Sequence, residues 1–220
     1  MTGKPFAKYW IHNGLIRVNG QKMSKSLGNS LLMKDLRKNY HIEVIKLALL
    51  QNSYHTDINI TDKLFEDAER HLYNFYKVLF EAQENFQKCS GEDKKVEEDF
   101  DDAMRDDLNT SKALSYLFNI FKEAKEKVAK GDESVSATLN SVIETYSLLG
   151  LFKEKPKVFL DGVDRKNKAD IPDEIKALAE RRWQAKREKN FALADSLRAD
   201  LENLGYVVKD TREGYEISKA

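Results

Sequence analysis

From residue 62 to residue 88 the chain runs without one glycine or proline, and its apolar side chains recur at helical spacing. Leu64, Ala68, Leu72, Phe75 and Leu79 form one stripe, and Phe65, Tyr76 and Phe80 widen it. A stripe that wide must be buried on more than one side, so a helix here needs several helical neighbours. The rest of the chain can supply them. Only three prolines and ten glycines interrupt 220 residues, of which 34% are charged and 41% hydrophobic. That composition fits a folded, mostly helical protein with a sizeable core.

Ile42, Val44, Ile45, Ala48 and Leu49 predict a helix over 41–51, and SYHTDINIT reads as a break. Thr61-Asp62 is the expected cap of the long helix. A further helix is expected at 96–106. Asn109-Thr110 caps another that reaches about residue 129, with Leu114, Leu117, Phe118, Phe121 and Val128 inward. Residues 135–148 give one more, closed by Gly150. Together these predict an up-and-down bundle. Residues 153–170 read as a charged linker holding a small apolar anchor, Val158-Phe159-Leu160. Pro172-Asp173 then opens a helix at 173–188. Phe191, Ala194, Leu197, Leu201 and Leu204 stripe the next, and YVVKD and GYEIS around TREG predict a β-hairpin.

Several function classes drop out. No apolar run approaches the ~18 residues of a membrane span, and MTGKPFAKYW has no signal-peptide core, so a cytoplasmic protein is expected. One cysteine, Cys89, excludes an internal disulfide and any multi-cysteine zinc site. The four histidines lie far apart, so no metal site is expected. Net charge is zero, but residues 92–107 hold nine acids against three bases and residues 176–198 hold seven bases against three acids. That polarity suits a different partner for each segment.

The first 30 residues differ from the rest. Leu15, Ile16, Arg17 and Val18 alternate and end at Asn19-Gly20, which predicts a strand, a turn and a return strand or loop. Lys22-Met23-Ser24-Lys25-Ser26 follows, in a polar loop before a helix. Two ammonium groups there can clamp a triphosphate and stabilise the charge growing on leaving pyrophosphate. Ser24 and Ser26 offer hydroxyls, and the Gly28 region allows closure. A solvated loop with two lysines has the same composition, so these five residues alone leave both readings open.

Taken whole, HNGLIRVNGQKMSKSLGN resembles the signature loop of class I aminoacyl-tRNA synthetases. The resemblance continues in order to the cysteinyl-tRNA synthetase family. It runs through Tyr40, Glu43, Val44, Tyr54 and Asn59, then Ala103, Met104, Asp107, Asn109 and Thr110. It ends with Ala194, Asp195, Arg198, Leu201, Gly205, Asp210, Thr211 and Gly214. It implies a mostly α chain in four parts. Residues 1–60 would be the end of a catalytic domain with its signature loop and tRNA-stem contact. Residues 61–152 would be a DALR-type helical bundle, 153–170 a linker and 171–220 an anticodon-recognition unit.

The resemblance further implies ligation of cysteine to its tRNA. Lys22 and Lys25 would be catalytic, with Ser24, Lys25 and Ser26 on ATP. Arg182, Lys186, Asp195, Arg198 and Asp210 would face RNA, where carboxylates accept from base amino groups. The family's Rossmann core, HIGH-type motif and zinc ligands have no counterpart here, so the resemblance places zinc in a separate N-terminal domain and none in this chain. Two departures, lysine at 186 for arginine and Ile217 for a tryptophan, bear on base readout; His55 stands where arginine is common. Without a catalytic core beside them, Trp10, Ile11 and Leu15 are expected in water. The rivals are a stand-alone tRNA-binding module and a structural helical protein. A ligase joining cysteine to an amino-sugar is a fourth reading, disfavoured by the C-terminal unit.

Overall fold

The computed structural model describes residues 5–24, 26–29, 31–86, 91–169, 171–211 and 214–219. Lys25 and Cys89 lie outside the described residues. The chain divides into two compact units, Met1–Phe159 and Leu160–Ala220.

The first unit starts with strand β1 (Ile16–Val18), which turns at Asn19-Gly20 into β2 (Gln21–Lys22). Both turn residues have positive φ, 50° and 79°, the geometry that makes Asn-Gly a hairpin turn. Helices α1 (Met33–Asn39) and α2 (Ile42–Leu50) follow. Next comes β3 (Ile58–Ile60), a strand inside the expected break, which pairs in parallel with β1. Three residues facing a partner some 40 positions away leave almost no local pattern, so the pairing is invisible in sequence. Gly14 shows how close the two segments run: a Cβ added there would sit 2.1 Å from the carbonyl oxygen of Thr56.

The bundle consists of α2 with α3 (Asp62–Phe86), α4 (Lys94–Arg105), α5 (Thr110–Ala129) and α6 (Val135–Tyr146). At 1.5 Å per residue α3 is about 37 Å long, and it packs on α2, α5 and α6. The expected caps are in place. The Thr61 hydroxyl accepts from Leu64 N–H at 3.3 Å, and the Asn109 side chain accepts from Lys112 N–H at 3.0 Å. Leu72, Tyr76, Leu114, Leu117, Leu139 and Tyr146 are fully buried. The Tyr146 hydroxyl donates to the Ala113 carbonyl at 2.7 Å, and burial raises its pKa.

Among the described residues the least exposed charged side chain is Glu43, 1% exposed. One carboxylate oxygen accepts from Tyr76 Oη–H at 2.8 Å and Phe152 N–H at 2.9 Å. The other accepts from Lys153 N–H at 2.8 Å and Glu154 N–H at 3.2 Å. Burial, then the charge of Glu43, pushes the Tyr76 hydroxyl far above its ordinary pKa, so it stays protonated and donates. One acid on α2 thus holds α3 and the 152–154 segment together.

The charged segment expected as a linker is mostly helical. Residues Pro156–Ala169 form α7. Pro156 occupies the first helical position, where its fixed φ is favourable, and the run of charged residues is made largely of good helix formers. The Phe159 anchor is buried and stacks on Tyr76, with ring centroids 4.2 Å apart.

In the second unit α8 (Asp173–Arg187) packs on α9 (Phe191–Asn203), and β4 (Tyr206–Asp210) pairs antiparallel with β5 (Tyr215–Lys219). Ile171, Ile175, Ala179, Leu201 and Val208 form its core. Ala194, Leu197 and Leu201 of the predicted stripe are buried, but Phe191 and Leu204 are exposed. They sit at the first residue of α9 and just past its last, where the stripe overhangs its partners.

Replacing Glu43 with alanine strands buried N–H donors and is expected to cost about 3 kcal/mol or more, whereas Tyr76→Phe costs about 1 kcal/mol. Denaturant unfolding of the two variants checks this ordering.

Candidate functional site

The signature loop is held by the hairpin before it. Arg17 pairs with Lys22 across β1 and β2, so Lys22 ends a strand with its side chain exposed. Met23 N–H donates to the Ile16 carbonyl at 3.1 Å and extends the pairing one residue. Beyond it the chain is tied by side chains. The Asn29 carbonyl oxygen accepts from Ser24 N–H at 2.9 Å, and its amide donates to the Lys22 carbonyl at 3.2 Å. The Ser24 hydroxyl oxygen accepts from Leu27 N–H at 3.3 Å and lies 3.1 Å from the Ser26 hydroxyl. Both serines named as ATP contacts therefore brace the loop in this conformation. Asn29 was not singled out in the sequence, although an amide just after a glycine turn is a usual place for such a brace.

Asp57 fastens the hairpin from below. One oxygen accepts from Leu15 N–H at 2.9 Å, and the other accepts from Arg17 Nε and Nη2, at 3.1 and 2.9 Å. The Leu15 bond first, then Arg17, holds its carboxyl below the usual range. Gly20 N–H donates to the Asn59 side chain at 2.8 Å and Asn19 N–H to the Ile60 carbonyl at 3.1 Å. The loop thus inherits its position from β3 and the segment before it. That segment also reaches the bundle: Tyr54 Oη–H donates to Asp107 at 2.8 Å, which raises the tyrosine pKa. Asp107 and Leu108 both hold φ of 53°, a conformation that costs a non-glycine residue about 1 kcal/mol or more. His55 lies 3.7 Å from Asp107 on the same exposed corner.

The five expected RNA-facing residues do not form one surface. Arg182 is 3% exposed and meets Asp210 with two bonds, at 2.7 and 3.1 Å. Lys186 completes the cluster on the same carboxylate. Arg182, foremost, and Lys186 hold the Asp210 carboxyl well below the usual range. Arg182 is therefore an internal tie between α8 and β4, its guanidinium turned to Asp210 rather than to solvent. Asp195 and Arg198 lie on the exposed face of α9, where Arg198 pairs with Glu202 at 3.0 Å. Among the described residues, no group of three His, Cys, Asp or Glu side chains converges as a metal would require.

The chain matches three family models in order. Residues 1–70 match the class I (C) catalytic domain of tRNA synthetases, residues 99–153 the DALR domain, and residues 168–216 the cysteinyl-tRNA ligase anticodon binding domain. A cysteine–tRNA ligase of Caldicellulosiruptor saccharolyticus is 36% identical over 99% of this chain and 47% of that protein. One of Cupriavidus pinatubonensis is 37% identical over 97% of this chain and 44% of its own length. One of Bacillus cytotoxicus is 32% identical over 97% and 46%. The chain spans about half the length of the curated relatives it matches.

Asp210→Ala leaves Arg182 buried and unpaired, and is expected to cost the second unit about 3 kcal/mol or more in thermal unfolding. The pH dependence follows from the lowered carboxyl pKa. The pair's stabilisation is complete above the unfolded value near 4 and is lost only as pH falls below it, through the folded value. Melting followed from neutral pH downwards should show this loss only below about pH 4, and Asp210→Asn should remove that part of the loss.

Proposed function

The chain belongs to the cysteinyl-tRNA synthetase family, and we propose that it carries the signature-loop and tRNA-binding functions of an ATP-dependent cysteine–tRNA ligase. In the parent reaction the cysteine carboxylate attacks the α-phosphorus of ATP, and the bond to pyrophosphate breaks. A terminal ribose hydroxyl of the tRNA then attacks the cysteinyl carbonyl, and AMP leaves. Lys22 and Lys25 would stabilise the negative charge that builds on pyrophosphate. Ser24 and Ser26 would exchange their bonds within the loop for bonds to the nucleotide as it closes. What carries the reading is the ordered match of three modules over nearly the whole chain.

Burial supports a division of roles within the tRNA-binding part. Asp195 and Arg198 are exposed on α9, Arg198 in its pair with Glu202, and would meet RNA from there, while Arg182 positions Asp210 and leaves its outer face, with Lys186, at the surface. An N-terminal catalytic partner fits the exposure of Phe6, Tyr9, Trp10, Ile11 and Leu15 beside the hairpin. Apolar side chains next to a parallel strand pair are ordinarily covered. Zinc would be held by that partner, and no step above runs through a metal. Among the described residues no helix is long and apolar enough to cross a membrane, and the cytoplasm is the proposed place of action.

A second reading, a tRNA-binding module without chemistry of its own, rests on the match of residues 168–216 to an anticodon binding domain. The discriminating experiment pairs two assays on the chain. Titration with cysteine tRNA, native and with an altered anticodon, is expected to show tighter binding of the native form. Cysteine-dependent ATP–pyrophosphate exchange is expected to be absent from the chain alone and to appear when the N-terminal half of a relative is added. Exchange that never appears on addition would favour the binding module; equal and salt-sensitive binding of both tRNAs would remove anticodon reading.

A further inference from the structure

The bundle has a groove that the ligase reading does not use. It lies between α3 and α5, where Asn74, Val78 and Glu81 on one helix face Phe118, Phe121 and Lys125 on the other, each set at helical spacing. Its volume is about 280 Å³, near the ~300 Å³ lower bound of small-molecule sites. The floor is aromatic. Phe75 and Phe121 stack with centroids 4.3 Å apart, and the half-buried Phe118 meets His71 edge-on at 4.9 Å. Burial, first, holds the His71 imidazole towards its neutral form, so the floor carries little charge of its own.

The rim is cationic. Lys77, Lys122 and Lys125 stand exposed around the aromatic floor, and among the described residues none of the three has an ion-pair partner. Elsewhere on the same bundle Arg70, Arg105 and Lys112 each meet a nearby aspartate. Glu81 is the one acid in the groove, which leaves an excess of two positive charges if His71 is neutral. Three lysines above an aromatic slot match one ligand chemistry in both its parts, a planar apolar group joined to a phosphate.

We propose that the α3–α5 groove is a nucleoside-phosphate site, with the base against Phe118 and the phosphate on Lys77, Lys122 and Lys125. Asn74 stands at the rim, where its amide can reach a base edge. The site is separate from the signature loop, and the inference stands whether or not the chain serves a ligase.

The test uses AMP and its 8-azido derivative with the whole chain. Saturable AMP binding by equilibrium dialysis is expected, and photo-crosslinks are expected on α3 or α5. The exposed double variant Lys122→Glu, Lys125→Glu should weaken binding roughly tenfold or more, while Lys63→Glu, exposed on α3 outside the groove, should leave it unchanged. A short single-stranded oligoribonucleotide that binds more tightly than AMP through the same face would identify RNA as the source of the nucleotide. Equal binding would identify a free nucleotide. The proposal is overturned if AMP does not bind saturably, if crosslinks fall elsewhere, or if pyrophosphate competes as well as AMP does. The last result would leave only attraction of anions to lysines.

Discussion

The Glu43 carboxylate is almost fully enclosed, and among the described residues no cation pairs with it. Its charge is met by three backbone N–H groups and one phenol, shared between its two oxygens. Removing such a charge from water is costly, and the arrangement repays the cost only when every bond is made. That condition fixes three things at once. The start of α2 must lie against the middle of α3, Tyr76 must point inward, and residues 152–154 must return to the helix that began over 100 residues earlier. Phe159 then stacks on the same tyrosine, and His41, the cap of α2, meets the Phe159 ring edge-on at 5.1 Å. The sheet that carries the signature loop lies on either side of α1 and α2 in the chain, so its footing depends on this knot.

The second unit solves a similar problem with opposite means. There the enclosed charge is a guanidinium, and a single carboxylate answers it bidentately. An Arg–carboxylate fork fixes direction as well as distance, so it sets the angle at which the hairpin meets α8. In both units a charge that could be taken for ligand chemistry is first of all part of the architecture. Chemistry in the second unit would fall to the carboxylate's open side and to the outer face of α9.

Much of the fold was legible because it is local. Helix spacing located α2 to α6, α8 and α9, and Thr61 and Asn109 cap as their side chains predict. The Asn19-Gly20 turn marked the hairpin under the signature loop. What escaped was distant or disguised. β3 is too short to carry a period and owes its existence to β1. Helix α7 was hidden because charge was weighed above the spacing of Phe159 and Val163, four residues apart and both buried. Of the site, the loop lysines and serines were legible as a motif, but the Asn29 brace was not. The pairing of Arg182 with Asp210 was not legible, because an arginine in a basic run has the same letter whether it faces water or a buried acid.

Gly14 has a meaning beyond packing. With the Thr56 carbonyl where its Cβ would be, no side chain fits without separating the hairpin from the segment that anchors it. Alanine, the smallest replacement, already carries the offending carbon, so this position has no conservative substitute. Every missense change in its codon adds that atom and meets the same carbonyl. The identity of one residue that touches no ligand is thus as tightly constrained as that of any lysine in the loop it helps to place.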